Sequence, residues 1–186
     1  GIDLVTYQAA GGGVTVNLTA KETTTDGDSG QDTLEGIENV RGSTAADHIT
    51  GDVSMNFLEG LNGDDTLIGG DDDDALAGGA DSDLLTGGPG VDTFVLSIAL
   101  SAGNDTVSDF DGSNEVLRFE DVVDIGGPAG VDLTDLVAVT TVTDDGADVT
   151  LNFASGASVV LEGVGTGFIA TITDLVADAS QIVVTS

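Results

Sequence analysis

The chain has 186 residues, of which 40% are hydrophobic and 4% aromatic, and its 34 Asp and Glu against three Lys and Arg give a net charge of −31. Phosphate contacts require cations, so this charge excludes nucleic acid and anionic membrane surfaces as partners. No apolar stretch reaches the roughly 18–20 residues of a membrane span, so membrane insertion is not expected. The chain has no Cys, so a secreted protein of this composition would need a staple other than disulfides, and metal is the usual one.

The N-terminal 41 residues are predicted to form a β cap. Residues 1–18 alternate apolar and polar residues around the glycines at 11–13, which is typical of strands joined by a glycine turn. A cap is expected physically, because an exposed sheet edge invites aggregation. The sequence begins at Gly1 without a visible signal peptide, so we expect it to be a fragment of a longer protein.

Residues 42–95 divide without a gap into six blocks of nine residues, which is the strongest pattern in the chain. Every block begins with Gly, has Asp or Asn at its sixth position and has Ile, Leu or Phe at its eighth. A fixed period sustained over six blocks indicates a repeat architecture. The blocks are GSTAADHIT, GDVSMNFLE, GLNGDDTLI, GGDDDDALA, GGADSDLLT and GGPGVDTFV.

Each block predicts a tight turn followed by a short strand. The glycine-rich first half can adopt positive φ, and the last three residues can point one apolar side chain inward. Two blocks then make one coil, and successive coils stack as parallel strands roughly 4.8 Å apart, which gives an all-β parallel β-helix. Alternate blocks share an edge, so Asp47, Asp65 and Asp83 line one side of the stack and Asn56, Asp74 and Asp92 line the other.

This stacking of acids predicts a bound cation. Carboxylates about 5 Å apart repel by roughly 3 kcal/mol per pair at an effective dielectric of about 20. Residues 42–95 contain twelve acidic residues and no Lys or Arg, so nothing in the repeat neutralises them. Calcium prefers six to eight carboxylate and carbonyl oxygens in a flexible shell, whereas magnesium requires strict octahedral geometry. We therefore expect several Ca²⁺ ions between adjacent coils.

The blocks resemble the RTX nonapeptide GGxGxDxUx, which residues 87–95 match at every fixed position. The resemblance implies a β-roll in which each ion lies between two turns of one edge. The first turn gives its second and fourth carbonyls and its Asp, and the next turn gives its first and third carbonyls and its Asp. On one edge this implies Ser43, Ala45, Asp47, Gly60, Asn62 and Asp65 around one ion, and Leu61, Gly63, Asp65, Gly78, Ala80 and Asp83 around the next. On the other edge it implies Asp52, Ser54, Asn56, Gly69, Asp71 and Asp74, and then Gly70, Asp72, Asp74, Gly87, Pro89 and Asp92.

Two departures from the family pattern fall in the first two blocks. Asn56 replaces Asp, and Ala45 and Ser54 occupy the fourth position, where the family prefers Gly. Side chains other than Asp and Asn adopt left-handed conformations less readily, so these two blocks are expected to bind weakly or not at all.

Beyond the blocks, residues 103–111 (GNDTVSDFD) resemble the closing segment that follows RTX repeats. This resemblance implies that Asp105 pairs with Asp83 around a further ion, with Gly79 and Asp81 contributing, and Asp109 is another candidate ligand.

The last third of the chain is predicted to form an antiparallel β region. Expected strands are 116–119, 137–143, 147–153 and 158–164, with hairpin turns at 144–146 and 154–156. This half resembles the C-terminal target region of type I secreted proteins, and residues 177–186 resemble their terminal signal. The predicted division is therefore an N-terminal cap (1–41), a calcium-binding β-roll (42–111) and a C-terminal β region with a secretion signal (112–186).

The expected function is a calcium-binding module that folds outside the cell and supports export of a larger parent protein through the type I secretion apparatus, leaving it secreted or at the cell surface. The alternative is an extracellular adhesin or polysaccharide-binding module. Catalysis is not expected, since His48 is the only His and no partnered nucleophile accompanies it. A catalytic domain of the parent would lie outside this stretch.

Overall fold

The computed structural model describes residues 1–27, 30–99, 103–120, 140–164 and 182–184, and within these ranges the chain forms strands and turns without a helix. No helix of the described residues is therefore long and apolar enough to cross a membrane. The strands are β1 (Leu4–Thr6), β2 (Thr15–Asn17), β3 (Glu22–Thr25), β4 (Asn39–Arg41), β5 (His48–Thr50), β6 (Phe57–Asn62), β7 (Thr66–Ile68), β8 (Ala75–Ala80), β9 (Leu84–Thr86), β10 (Thr93–Ser97), β11 (Asn104–Val107), β12 (Val116–Glu120), β13 (Thr140–Asp144), β14 (Val149–Phe153), β15 (Ser158–Leu161) and β16 (Ile182–Val184).

Successive blocks send their strands to opposite sheets. A seven-stranded sheet has the order β1-β4-β6-β8-β10-β12-β16, and a nine-stranded sheet has the order β13-β14-β15-β11-β9-β7-β5-β2-β3. Strands two blocks apart pair in parallel, so that Ile49 pairs with Leu67 and Leu58 with Leu76. The predicted coil of two blocks is therefore confirmed, and the fold is an all-β parallel β-roll.

The core is a column of the eighth-position side chains, all at 0% exposure: Ile49, Leu58, Leu67, Leu76, Leu85 and Phe94. Val16 and Val40 extend this column towards the N-terminus, and Val107 and Leu117 extend it past the repeats. Each nine-residue block thus buries one large apolar side chain, which contributes about 1.5–3 kcal/mol. A core this thin leaves the turns on the edges as the other determinant of stability.

The N-terminal strands continue the coil and do not form a hairpin with each other. β1 pairs in parallel with β4, and β2 pairs in parallel with β5, so the glycines at 11–13 carry the chain from one sheet to the other. β3 then pairs antiparallel with β2 at the end of the nine-stranded sheet.

The C-terminal strands extend both sheets. β12 and β16 add parallel strands to one sheet, while the antiparallel strands β13, β14 and β15 end the other. Gly146 (φ +91°) and Gly156 (φ +99°) lie in the two predicted hairpin turns. Residues 137–139 of one predicted strand lie outside the described residues. The predicted terminal signal at 177–186 also lies outside them, except for β16. The last predicted hairpin strand, 158–164, corresponds to β15, which ends at Leu161. The division at 41/42 and 111/112 stays a prediction, since strands on both sides of each boundary share the same sheets.

Candidate calcium sites

The sixth-position acids of alternate blocks form a ladder along each edge of the roll. On the first edge, the backbone N–H of Asp47 donates to Oδ1 of Asp65 at 2.7 Å, and that of Asp65 to Oδ1 of Asp83 at 2.9 Å. The ladder continues past the blocks, because the N–H of Asp83 donates to Oδ1 of Asp105 at 3.1 Å. The structure thus brings together the four acids that the sequence placed on this edge.

The second edge repeats this geometry. The backbone N–H of Asn56 donates to Oδ1 of Asp74 at 2.7 Å, and that of Asp74 to Oδ1 of Asp92 at 2.9 Å. On both edges one carboxylate oxygen is therefore used to hold the preceding coil in register.

In four of the ladder carboxylates the second oxygen is buried without a hydrogen-bond partner. A buried polar atom without a hydrogen bond costs about 1–3 kcal/mol, and more if it is charged. A cation beside these oxygens would remove that cost, so the residues present fit calcium. The orphaned atoms are Oδ2 of Asp65, Asp74, Asp83 and Asp92.

Burial also raises the pKa values of the ladder acids. Loss of water around the carboxylate is the largest cause, the ladder N–H bond opposes it, and neighbouring carboxylates add to the rise in most of them. The pKa rises to about 7 in Asp65 and Asp74, to about 8 in Asp83 and, by burial against its ladder bond, to about 7 in Asp105. Without a cation these groups favour protonation near neutral pH, and a divalent ion can replace the proton.

Backbone carbonyl oxygens share the space between coils with the orphaned carboxylate oxygens. Gly60 lies so close to Oδ2 of Asp65 and to the carbonyl oxygen of Gly78 that a β-carbon there would contact both. Second-position carbonyls point along the edge in the same way, since a β-carbon on Gly79 would strike the carbonyl oxygen of Leu61. Within the described ranges no three Asp, Glu, His or Cys side chains group to hold a metal.

Positive φ values separate the later turns from the first two. In the later turns, every second-position residue and every fourth-position residue except Gly90 adopts the left-handed region. They are Leu61 (φ +91°), Gly63 (+111°), Gly70 (+129°), Asp72 (+73°), Gly79 (+115°), Asp81 (+76°) and Gly88 (+99°). The corresponding residues Ser43, Ala45, Asp52 and Ser54 do not. The first two turns therefore differ in backbone conformation from the later ones at these positions, and Leu61, Asp72 and Asp81 show that a β-carbon alone does not exclude positive φ.

The sixth-position side chains of those first two turns, Asp47 and Asn56, have hydrogen-bond partners within the protein for both of their polar side-chain atoms. The backbone N–H of Ser43 donates to Oδ2 of Asp47 at 2.6 Å, and its hydroxyl donates to Oδ1 at 2.8 Å. Oδ1 of Asn56 accepts from the N–H of Asp52 at 2.8 Å, and its amide donates to the carbonyl of Glu38 at 2.8 Å. This gives a physical reason for the prediction that the first two blocks bind calcium weakly.

The remaining predicted ligands lie along the same two edges. Gly60 and Asn62 lie in β6 and Gly78 and Ala80 lie in β8, whereas the others lie in the turns after β7 and β9. Each third-position residue stands two residues after the opening Gly, and each of these opening glycines packs against the carboxylate of the ladder acid in its own block. The third-position ligands are Asn62, Asp71, Ala80 and Pro89, and the opening glycines named as ligands are Gly60, Gly69, Gly78 and Gly87.

Asp109 stands outside both ladders. Its two carboxylate oxygens accept the backbone N–H groups of Gly87 at 3.0 Å and Gly88 at 2.8 Å. It therefore caps the last turn of the repeat, a contact that leaves its role as a calcium ligand a prediction.

The nine-residue pattern misses one buried acid, Glu115. It lies next to Asp92 across the sheet, because Val116 pairs with Thr93 in the β12–β10 register. Residues 110–118 (FDGSNEVLR) keep an acid at the sixth position and Leu117 at the eighth, but they begin with Phe110. The sequence therefore has the acid and the apolar residue of a further block, but the block was not recognised because it does not begin with Gly.

Comparison with known proteins agrees with this geometry. Residues 59–94 match the family model of the RTX calcium-binding nonapeptide repeat (4 copies), and no curated protein matches the chain. The extracellular lipase LipA from Serratia marcescens is similar over 81% of this chain, with 22% identity and a TM-score of 0.55. The AlgE6R3 subunit of the Azotobacter vinelandii mannuronan C5-epimerase is 26% identical over 73% of this chain and 80% of its own, with a TM-score of 0.45.

The fold and its two carboxylate ladders define a calcium-binding β-roll. Residues 59–94 match four copies of the RTX calcium-binding nonapeptide repeat, and this number implies several Ca²⁺ ions. The chain spans about a fifth of the length of the Serratia lipase, since it covers 21% of that protein.

Proposed function

We propose that this β-roll folds when it binds calcium outside the cell and thereby supports type I secretion of a larger parent protein. The observation that carries the proposal is the set of four buried, unpartnered carboxylate oxygens along the two edges. They belong to a chain with a net charge of −31 and a core of one large side chain per block.

These features favour an unfolded chain wherever calcium is scarce. Folding without a cation would desolvate the ladder acids and stack them against one another, and the thin core offers little to offset that cost. A bound Ca²⁺ supplies the positive charge and the oxygen coordination that the edges lack. Metal binding is then coupled to folding, so the chain stays extended for export and folds after it.

The parent protein, and not this module, would carry any enzymatic activity. His48, the single His of the sequence, is exposed on β5. The similar lipase is an extracellular enzyme, and the part of it that matches this chain is about a fifth of its length. This supports a module that is attached to a larger protein.

The polysaccharide-binding alternative has less support. Sugar-binding surfaces commonly present exposed aromatic rings, which combine an apolar face with a rigid shape. In the part of the chain that the structure describes, Phe57 is the one aromatic side chain that is substantially exposed, at 37%. We therefore retain the folding and export function.

Far-UV circular dichroism during a calcium titration tests the proposal, with magnesium as the control ion. The expected result is a disordered spectrum that becomes β between roughly 10⁻⁴ and 10⁻³ M calcium, the range of extracellular sites. A full β spectrum in chelator would contradict calcium-coupled folding. Export can be tested separately in cells with a type I exporter, where secretion that is equal in calcium-rich and chelated medium would argue against the secretory role.

A further inference from the structure

The second edge of the roll has one more turn than the repeat pattern indicates. The N–H of Val116 donates to the carbonyl of Asp92 at 2.8 Å, as the N–H of Thr93 donates to the carbonyl of Asp74 at 2.8 Å one coil earlier. Residues 110–115 therefore occupy the place of the next turn, although the family match ends at residue 94. Glu115 takes the sixth position of this turn.

An unpartnered carboxylate oxygen faces the gap between residues 87–92 and this additional turn. Oδ1 of Asp92 accepts the N–H of Asp74 on the side of the preceding coil, whereas Oδ2 has no partner and the residue is 0% exposed. One coil earlier, Oδ2 of Asp74 lies against Gly69 together with the carbonyl oxygen of Gly87 from the following coil. Oδ2 of Asp92 lies against Gly87 as Oδ2 of Asp74 lies against Gly69, and by the same repeat geometry it is expected to face the following coil, residues 110–115.

The additional turn presents a second buried carboxylate to that gap. Glu115 is 3% exposed, and its Oε2 accepts the N–H of Asp111 at 2.6 Å, which fixes the orientation of the side chain. Burial raises the pKa of Glu115 to about 7 against this N–H bond, and the carboxylates of Asp109 and Asp92 raise it further. The two turns are also joined directly, because the amide of Asn114 donates to the carbonyl of Gly90 at 3.3 Å.

We propose that a calcium ion binds between residues 87–92 and residues 110–115, with Asp92 and Glu115 as its carboxylate ligands. Gly88 (φ +99°) keeps the left-handed conformation of the other second-position residues, so its carbonyl is a further candidate oxygen for this gap. A Glu is one methylene longer than Asp, so its carboxylate reaches the gap from a turn that opens with Phe110 and not with Gly. This site rests on the calcium chemistry of the proposed function and extends it to a turn outside the recognised repeat.

The number of calcium ions bound per chain tests this site. Glu115→Gln keeps an oxygen acceptor for the N–H of Asp111 and removes the charge. We expect this variant to bind one ion fewer than wild type by native mass spectrometry while keeping its β spectrum in saturating calcium. Glu120→Gln is the matched control, because Glu120 is exposed on the adjacent strand β12 and its loss of charge should leave the number of ions unchanged.

The outcomes separate this site from the proposed function. A Glu115→Gln chain with the wild-type number and affinity of ions would overturn the site, while calcium-dependent folding of the wild type would keep the function. Failure of the wild type to bind calcium would remove both. If Glu115→Gln does not fold, anomalous diffraction from wild-type crystals grown in calcium decides the question: a peak between Asp92 and Glu115 supports the site, and its absence overturns it.

Discussion

Replacing Asp83 by Asn isolates the role of charge on the first edge. Oδ1 of Asp83 accepts the N–H of Asp65 at 2.9 Å, and its own N–H donates to Asp105 at 3.1 Å, while its Oδ2 has no partner. Asn has nearly the same shape and keeps an oxygen for the Asp65 bond. The substitution therefore removes one charged ligand from the two gaps that Asp83 borders and little else.

The predicted effect changes sign with calcium. Burial raises the pKa of Asp83 from 3.8 to about 8, so near pH 7 the folded, calcium-free chain must hold a proton that the unfolded chain has released. At pH 7 the protonation costs the difference between that pH and the unfolded pKa, about three units, which lowers the stability of the calcium-free fold by about 4 kcal/mol at 1.36 kcal/mol per unit. Residual solvent at the turn lowers this, so Asp83→Asn should stabilise the calcium-free fold by about 1–4 kcal/mol. In calcium, loss of a charged ligand should raise the midpoint concentration at least tenfold, or about 1.4 kcal/mol.

Two titrations followed by circular dichroism measure these opposite effects. Folding in chelator can be driven with trimethylamine oxide, which favours compact states, and Asp83→Asn should need less of it than wild type. Folding in calcium should need more calcium. Asp64→Asn is the control, since it removes the same charge from an exposed side chain of a turn on the same edge. If Asp83→Asn shifts the calcium midpoint no more than Asp64→Asn does, Asp83 is not a ligand, and if it weakens both forms it is only a structural acceptor.

Three further predictions concern proton binding, turn geometry and the core. In chelator, lowering the pH from 8 to 5 should increase the β signal, because the raised pKa values of Asp65 (about 7) and Asp83 (about 8) mean that folding takes up protons. This contribution to stability is fully present below about pH 4 and is lost as the pH rises through 7 to 8. A β signal that grows with pH would contradict this. Gly79→Ala should lower the melting temperature in calcium far more than Gly146→Ala. Both glycines have positive φ, but only at Gly79 would the new β-carbon strike a backbone oxygen. Equal losses of melting temperature would show that this close contact is unimportant. Leu67→Ala should destabilise the calcium-bound form by about 2–5 kcal/mol in thermal unfolding. Leu84→Ala should destabilise it clearly less, because the Leu84 side chain is 40% exposed. Similar losses of stability would argue against a core made of a single column.

The repeat itself could be predicted from the sequence because its determinants are local and periodic. An opening Gly, an acid at the sixth position and an apolar residue at the eighth define turn, edge and core in every block, so the pairing of Leu58 with Leu76 follows from the period. The prediction that the first two blocks bind calcium weakly also rests on local features, because Ala45 and Ser54 occupy a turn position that favours Gly.

The sequence could not show where the roll continues after the repeat is interrupted. Phe110 stands where a Gly would open the next block, and its ring packs edge-on against Phe94 with centroids 6.3 Å apart. That contact, and the β12–β10 register that places Glu115 opposite Asp92, join segments whose spacing no longer follows the nine-residue period.

The sequence by itself determined that the edges carry more negative charge than the repeat can neutralise, since the six blocks contain no Lys or Arg. Only the tertiary structure decided which carboxylate oxygens remain without a donor. Oδ1 of Asp47 accepts the N–H of Val14, 33 residues away, and the side-chain amide of Asn56 donates to the carbonyl of Glu38. Oδ2 has no hydrogen-bond partner in Asp65, Asp74, Asp83 and Asp92. Hydrogen-bond partners from distant segments exist only once the coils have stacked, so the number of sites that require a cation is a property of the folded edge.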